Sequence, residues 1–212
     1  MTLQTLAPAP VPRATAPRAT APAVCPPAPA PYCTCYPGST VWLTGLPSSG
    51  KTTVARAAAE LLRARGRRVE VLDGDEFRRT LSDDLGFSRE DRHRNVVRIG
   101  HVAQVLARNG VTVLVPVIAP YADSRADVRS SHARSRTAFL EVHVAAPVEV
   151  CAHRDVKGLY ASRAAGEISG LTGVDAPYEA PRTPDLRIDS HHEPVERSAT
   201  ALIALLTERG LA

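Results

Sequence analysis

The sequence predicts an α/β protein in which a parallel β-sheet is covered by helices on both faces. From Thr40 onward, short apolar segments that suit strands alternate with amphipathic segments that suit helices. The segment 111–118 is almost wholly apolar, as expected of a strand buried on both faces of a sheet. A glycine-rich turn, residues 45–52, joins the first strand to the first helix. The 212 residues suit one domain with a full hydrophobic core.

The elements follow one another in a repeated strand–helix order. Strands are predicted in five places: residues 40–44, 68–72, 111–118, 139–144 and 185–188. Helices are predicted in four: residues 51–65, 89–108, 124–137 and 195–209. Gly66 and the pair Asn109-Gly110 are helix stop signals, and Ser88 with Asp91 resembles a capping box that opens the second helix. The segment 155–182 fits neither period, so we expect an irregular, basic lid there.

The glycine-rich turn matches a phosphate-binding pattern. Residues 45–52 read Gly-Leu-Pro-Ser-Ser-Gly-Lys-Thr, which fits G-x-x-x-x-G-K-S/T between a strand and a helix. Glycines let successive backbone N–H groups turn inward, and the helix that follows points its positive end at the same anion. The pattern therefore predicts a P-loop NTPase-type three-layer sandwich that binds ATP. The motif residues expected to bind the nucleotide are Gly45, Ser48, Ser49, Gly50, Lys51, Thr52 and Thr53.

Two carboxylates follow the second strand, at Asp73 and Asp75, with Gly74 expected to allow a tight turn between them. Lys51 can reach the β- and γ-phosphates, while Thr52 and Asp73 can hold Mg²⁺ or its water. Asp75 can orient the acceptor hydroxyl or take its proton. Because the chain has no N-K-x-D segment and no acidic residue at the end of strand 111–118, we expect a small-molecule kinase rather than a GTPase or a motor. An ordinary Asp-Gly-Asp turn remains the alternative.

The charge pattern indicates an anionic acceptor. Arginines cluster after the second strand, at residues 78, 79, 89, 92, 94 and 98, and guanidinium groups suit phosphate and sulfate oxygens. The net charge of +4 fits a phosphate pocket, and an aromatic content of 4% argues against a base-stacking nucleic-acid surface. Without a Cys-x-x-Cys pair, neither a zinc site nor a disulfide framework is indicated.

The first 38 residues differ in composition from the rest. They are dominated by Ala and Pro, so we expect a disordered tail at 1–38 followed by the kinase domain at 39–212. No apolar run approaches the ~18 residues that span a bilayer, and no secretory signal opens the chain. We therefore expect a cytoplasmic protein without a membrane or nucleic-acid partner.

Several further motifs occur together and resemble the adenylylsulfate (APS) kinases. They run in family order: V-W-L-T-G-L with the P-loop, L-D-G-D at 72–75, D-L-G-F-S at 84–88, D-R-x-x-N at 91–95, R-D-V-K-G-L-Y at 154–160, A-G-E-I at 165–168, T-G-V-D at 172–175 and P-Y-E-A-P at 177–181. The resemblance implies ATP-dependent phosphorylation of the 3′-hydroxyl of adenosine 5′-phosphosulfate (APS), which gives PAPS for sulfate assimilation. It also implies a homodimer.

The resemblance also implies roles for individual residues. Lys51, Asp73 and Asp75 would be catalytic, Arg154 would pack near the adenine of ATP, and Lys157 would bind the nucleotide from the lid. The APS-binding set would be Asp75, Arg78, Phe87, Arg92, Asn95, Ile118, Lys157, Leu171 and Thr172. In this set Phe87 would stack on the APS adenine.

Three positions depart from the family pattern. Ala119 replaces a serine, Leu171 replaces a phenylalanine that would sandwich the APS adenine, and Glu76 replaces an asparagine. Since Ala119 cannot be phosphorylated, we expect direct in-line transfer from ATP. Two alternatives remain open: a kinase of another small acceptor, and a non-catalytic nucleotide-binding subunit whose tail docks a partner such as a sulfurylase.

Overall fold

A computed structural model describes residues 37–212 of the chain. Its centre is a five-stranded, wholly parallel sheet with the strand order β2-β3-β1-β4-β5. The strands are β1 (Ser39–Thr44), β2 (Val69–Val71), β3 (Thr112–Pro116), β4 (Ala138–Ala145) and β5 (Leu186–Asp189). All five predicted strands and the predicted fold class are confirmed. Within this part of the chain, no helix is long and apolar enough to cross a membrane.

Seven helices surround the sheet in the described residues. They are α1 (Lys51–Ala64), α2 (Gly74–Thr80), α3 (Arg89–Arg108), α4 (Ala122–Arg134), α5 (Val148–Arg154), α6 (Leu159–Ala164) and α7 (Val195–Glu208). Helices α1, α3, α4 and α7 confirm the four predicted ones to within a few residues. Helices α2, α5 and α6 were not predicted, and α6 lies inside the segment expected to be irregular.

The sheet packs against helices on both faces because its side chains alternate. Val41 and Leu43 point into a core shared with α1 and α7, where Leu62 and Leu202 are fully buried. Trp42, between them, points into the opposite core, which it shares with α3 and α4. Successive strand side chains face opposite sides of a sheet, so the central strands β3, β1 and β4 contribute to both cores, while the edge strands β2 and β5 contribute apolar side chains to the first core alone. Burial on both faces explains why the three central strands contain so few charged residues.

The interpretation of Asp73-Gly74-Asp75 as a tight turn is wrong. Asp73 is the N-cap of α2: its Oδ1 accepts a hydrogen bond from the Asp75 backbone N–H at 2.9 Å. Gly74 is simply the first helical residue. The capping pattern at the next helix is confirmed, since the Ser88 Oγ accepts from the Asp91 N–H at 3.1 Å. Aspartate at an N-cap satisfies an otherwise unpaired amide, which stabilises the start of this short helix.

The topology gathers the functional segments at one edge of the sheet. The P-loop follows β1, Asp73 follows β2, and the segments 117–121 and 190–194 follow β3 and β5. Because all strands are parallel, their carboxyl ends lie at the same edge, where open α/β sheets bind ligands. Nearly all of the predicted tail, residues 1–38, lies outside the described residues, so the domain boundary stays a prediction.

Candidate active site

The P-loop has the backbone conformation that its glycines allow. Gly50 has φ 95°, and Ser48 also lies in the left-handed region with φ 60°. A side chain at Gly45 would not fit, because its Cβ would lie 2.3 Å from the Val144 carbonyl oxygen. The turn is closed by a hydrogen bond from the Ser49 N–H to the Leu46 carbonyl at 3.2 Å. As a result, the backbone of the P-loop surrounds the side chain of Lys51.

Lys51 is held inside the P-loop. Its amine donates to the carbonyl oxygens of Gly45 at 3.0 Å and Leu46 at 2.6 Å, and its side chain is buried. Burial, followed by the positive charge of Lys157, lowers the pKa of Lys51 to about 7. Both causes disfavour the charged amine. A phosphate arriving at the loop would reverse this balance by supplying negative charge.

Oxygen atoms converge beside the P-loop. The Thr52 hydroxyl donates to Asp73 Oδ2 at 3.0 Å, so the two residues predicted to hold a metal lie in contact. The other oxygen of Asp73 caps α2, which fixes the orientation of the carboxylate. Asp75, two residues further along the chain, has a side chain that is more than half exposed.

A lysine from the predicted lid reaches the same place. Lys157, in the turn between α5 and α6, forms an ion pair with the carboxylate of Asp75. This pair joins a residue predicted to bind nucleotide to one predicted to bind the acceptor. Both side chains are about half exposed, at 51% and 56%, so a ligand can reach either of them.

The aromatic ring of Phe87 and the guanidinium groups of Arg78 and Arg92 form a second group of predicted site residues, the arginine wall. Phe87 is 69% exposed, and the Arg78 guanidinium lies 4.6 Å from its ring centroid. Arg78 also donates to the Gly86 carbonyl at 2.9 Å. Burial and the positive charge of Arg92 lower the pKa of Arg78. An exposed ring beside two cations is suited to a purine that carries negative charge.

Arg92 connects the arginine wall to the predicted lid, the segment 155–182. Its guanidinium donates to the Phe87 carbonyl at 2.8 Å, to Thr172 Oγ1 at 2.6 Å and to the Gly170 carbonyl at 2.7 Å. Residues 87 and 170–172 are far apart in sequence, so one side chain sets the spacing between them. Arg92 and Thr172 were both predicted to bind substrate, and the structure brings them into direct contact.

Asn95 lies one turn beyond Arg92 on α3. It is 3% exposed, and its Oδ1 has no hydrogen-bond partner within residues 37–212. A buried acceptor without a partner is costly, which makes it a natural contact for a ligand donor. Ile118 lies in the segment that follows β3, and its carbonyl accepts a hydrogen bond from the Thr44 hydroxyl at 2.5 Å.

Two predicted residues have surroundings that the sequence did not indicate. Arg154 donates to the Ser190 carbonyl at 2.8 Å, at the end of β5. Leu171 is only 7% exposed and packs in a cluster with Leu46, Cys151 and Tyr160. The Leu171 side chain therefore belongs to the lid core, and its contact with a ligand remains a prediction.

Sequence reasoning missed several residues that support the site. Ser190 donates from its hydroxyl to the Ser49 carbonyl at 2.7 Å and so braces the P-loop. Arg125, 4% exposed, donates to the Ala119 carbonyl at 2.8 Å and pairs with Glu141 at 2.7 Å. Ser190 follows a predicted strand, so its position at the edge where the strands end could have been inferred from topology. Arg125 lies within a predicted helix, and no motif in the sequence indicates that it contacts this edge.

The fold and the site together define a P-loop kinase: a parallel sheet with a P-loop after its central strand, the carboxylate of Asp73 in contact with that loop, and two arginines beside an exposed phenylalanine. The chain belongs to the adenylylsulphate kinase family, whose model matches residues 37–189. It is 49% identical to the adenylyl-sulfate kinase of a Picosynechococcus species over 173 residues, 82% of this chain and 96% of that protein. It is also 49% identical to the adenylyl-sulfate kinase of Myxococcus xanthus over 174 residues, 82% of this chain and 94% of that protein.

Solved structures agree with the family assignment. The Mycobacterium tuberculosis APS kinase CysC in complex with AMPPNP and APS superposes with a TM-score of 0.78 at 45% identity, covering 81% of this chain and 99% of that one. A hexameric APS kinase from Thiobacillus denitrificans gives a TM-score of 0.62 at 35% identity, covering 83% of this chain and 30% of that one. The recognition made from the sequence motifs is thereby confirmed.

Proposed function

We propose that this chain is an adenylyl-sulfate kinase, which transfers the terminal phosphate of ATP to the 3′-hydroxyl of APS and so produces PAPS for sulfate activation. The observation that carries the proposal is the contact of Thr52 in the P-loop with Asp73, the N-cap of the helix that carries Asp75 and Arg78. Arg78 in turn lies over the ring of Phe87. Membership of the family supports the same acceptor, and a relative of this fold binds both AMPPNP and APS.

The P-loop would hold the ATP phosphates. Its inward amides and the start of α1 suit the β-phosphate, and Lys51 would exchange its two carbonyl partners for phosphate oxygens. Magnesium fits the oxygens of Thr52 and Asp73, since this ion uses few protein ligands and completes its shell with phosphate and water. When bound it would neutralise charge on the phosphates. Arg154 and the segment after β5 would flank the adenine.

Asp75 would orient the acceptor and take its proton. The acceptor 3′-oxygen would form a bond to the γ-phosphorus while the bond from that phosphorus to the β–γ bridging oxygen breaks, leaving ADP. The hydroxyl proton would pass to Asp75 and then to solvent. Asp75 must first part from Lys157, which would then turn its charge toward the phosphates.

APS recognition would use the arginine wall of Arg78, Phe87 and Arg92. Phe87 would stack on the adenine, Arg78 and Arg92 would attract the phosphosulfate side, and Asn95 would offer its unpartnered oxygen to a donor on the sugar. Thr172, Ile118 and Leu171 would complete the lining. Base stacking is worth about 1–3 kcal/mol, so one exposed ring can contribute much of the affinity.

We further infer that the chain assembles with copies of itself. An APS kinase from Thiobacillus denitrificans is hexameric, which supports a homo-oligomer for this chain, and a homodimer is the smallest such assembly. Light scattering should give a mass that is a multiple of 22.6 kDa. A sulfurylase partner that docks on the tail would be detected by comparing sulfurylase binding to the full chain and to a chain without residues 1–36.

The direct test is formation of PAPS. The protein is incubated with Mg-ATP and APS, and both PAPS and ADP are measured by chromatography. A panel of nucleoside and sugar acceptors is run in parallel. We expect APS to give the highest kcat/KM; a better acceptor would identify a different kinase, and no turnover with any acceptor would support a non-catalytic subunit. Lys51→Ala should abolish turnover, with the exposed Arg56→Ala on the same helix as the matched control.

A further inference from the structure

The turn that carries Lys157 is held by hydrogen bonds to the helices on either side of it. The Asp155 N–H donates to the Cys151 carbonyl at 3.0 Å, at the end of α5. The Asp155 carboxylate in turn accepts from the backbone N–H groups of Tyr160 at 3.1 Å and Ala161 at 2.9 Å, at the start of α6. Residues 155–161 therefore form a closed turn, and Lys157 cannot move far without moving Tyr160.

Tyr160 links this turn to the P-loop. Its side chain is 9% exposed and packs with Leu46, Cys151 and Leu171. Its hydroxyl donates to the carbonyl oxygen of Pro47, inside the P-loop, at 3.3 Å. Burial raises the pKa of Tyr160, so the phenol keeps its proton and remains a donor at neutral pH.

We propose that Tyr160 is a positioning residue, which holds the charge of Lys157 at the phosphates by bonding the lid directly to the P-loop. The proposal rests on the function proposed above and adds a residue to it. The sequence showed Tyr160 only as the last letter of R-D-V-K-G-L-Y, with no role assigned. The structure shows a single hydroxyl between the two nucleotide-binding segments.

The loss of the hydroxyl would loosen the turn in the free protein and lower the rate of the transfer step. Without the hydroxyl, the ring would still fill its place in the lid core, so the fold would change little. The turn would then be free to shift relative to Pro47, and Lys157 would sit less accurately beside the developing charge. Losing one such hydrogen bond corresponds to about a three- to tenfold change in rate.

The kinetic test is a double-mutant cycle. We expect Tyr160→Phe to lower kcat for PAPS formation by about three- to tenfold, with KM values for ATP and APS changed less than about twofold. In a Lys157→Gln background, the same substitution should change kcat less than about twofold, because the charge it positions is gone. An equal effect in both backgrounds would overturn the proposal, as would an unchanged kcat in the single variant.

A second measurement decides the matter without catalysis. Hydrogen–deuterium exchange of residues 155–161 should be faster in Tyr160→Phe than in the wild-type chain, while the rest of the domain is unchanged. The matched control is Tyr121→Phe, since the Tyr121 side chain is buried like that of Tyr160 but its ring lies against the Arg89 guanidinium rather than the P-loop. Unchanged exchange in Tyr160→Phe would overturn the proposal whatever the activity. If the wild-type chain forms no PAPS, the proposed function fails, and the exchange result still decides the role of Tyr160.

Discussion

Lys157 and Asp75 form an ion pair across the mouth of the site, so the predicted lid is joined to the residue that would take the acceptor proton. Exposed pairs of this kind contribute about 1 kcal/mol or less, and a ligand with more charge can replace either partner. The pair therefore holds the Lys157 turn beside Asp75 without preventing a ligand from reaching either residue.

Removing the charge of Asp75 should separate binding from turnover. In Asp75→Asn we expect kcat for PAPS formation to fall by about 100-fold or more, because the proposed general base is lost. ATP affinity measured by titration calorimetry should be equal to or higher than that of the wild-type chain, since Lys157 is released for the phosphates. The control is Glu76→Gln, which removes a neighbouring charge. Loss of ATP binding in Asp75→Asn would contradict this division of roles.

ATP binding should be linked to the protonation of Lys51. Its pKa in the free protein is about 7, and bound phosphates will raise it. Binding should therefore take up protons above pH 7, and the Kd for ATP should rise with pH in that range. Calorimetry in buffers of different ionisation enthalpy measures the proton uptake. An uptake at pH 8 that Lys51→Met leaves unchanged would show that another group titrates.

Phe87 should control the affinity for APS rather than for ATP. Replacing it with alanine removes an exposed ring, and we expect KM for APS to rise about tenfold while KM for ATP changes little. Phe87→Trp should keep most of the affinity. Val97→Ala, on the exposed side of α3, serves as the control. A rise in KM for ATP instead of APS would show that Phe87 contacts ATP, which would contradict the prediction.

His143 should make the fold sensitive to acid. It is 7% exposed on β4, and burial, then the positive charges of Arg187 and Arg125, lower its pKa from 6.5 to about 4. Because the unfolded chain takes up the proton first, stability is lost as pH falls from 6.5 toward 4. In His143→Asn, urea unfolding should depend less on pH across this window. His101→Asn, exposed on α3, should keep the wild-type slope.

Local signals were enough to predict most of the fold. Most strands are apolar runs, and helices α1 and α7 have clear hydrophobic periodicity, so these elements could be identified from neighbouring residues alone. Helix α4 has almost no such periodicity. Helix α2 was missed because Asp73 and Gly74 also suit a turn, and only the capping bond to Asp75 decides between the two. Helix α6 was missed because it is short and lies among glycines and charges.

The supporting contacts of the site were beyond sequence reasoning for a different reason. Arg125 contacts residues before and after it in the chain, at Ala119 and Glu141, and Tyr160 contacts Pro47. No local pattern encodes such pairs, since they arise only when the sheet brings distant segments together. The motif residues were easier to find because their spacing within the chain is itself the signal.

The three hydrogen bonds of Arg92 have a consequence for selectivity. Every nitrogen of its guanidinium already donates to a protein oxygen, so the plane of the group is set before any substrate arrives. Little rotamer entropy remains to be lost on binding, and the N–H groups left over point in fixed directions. A lysine could supply the same charge but would lack these fixed hydrogen-bond directions. In the proposed role of Arg92, its preorganisation would favour an acceptor of one shape over others of equal charge.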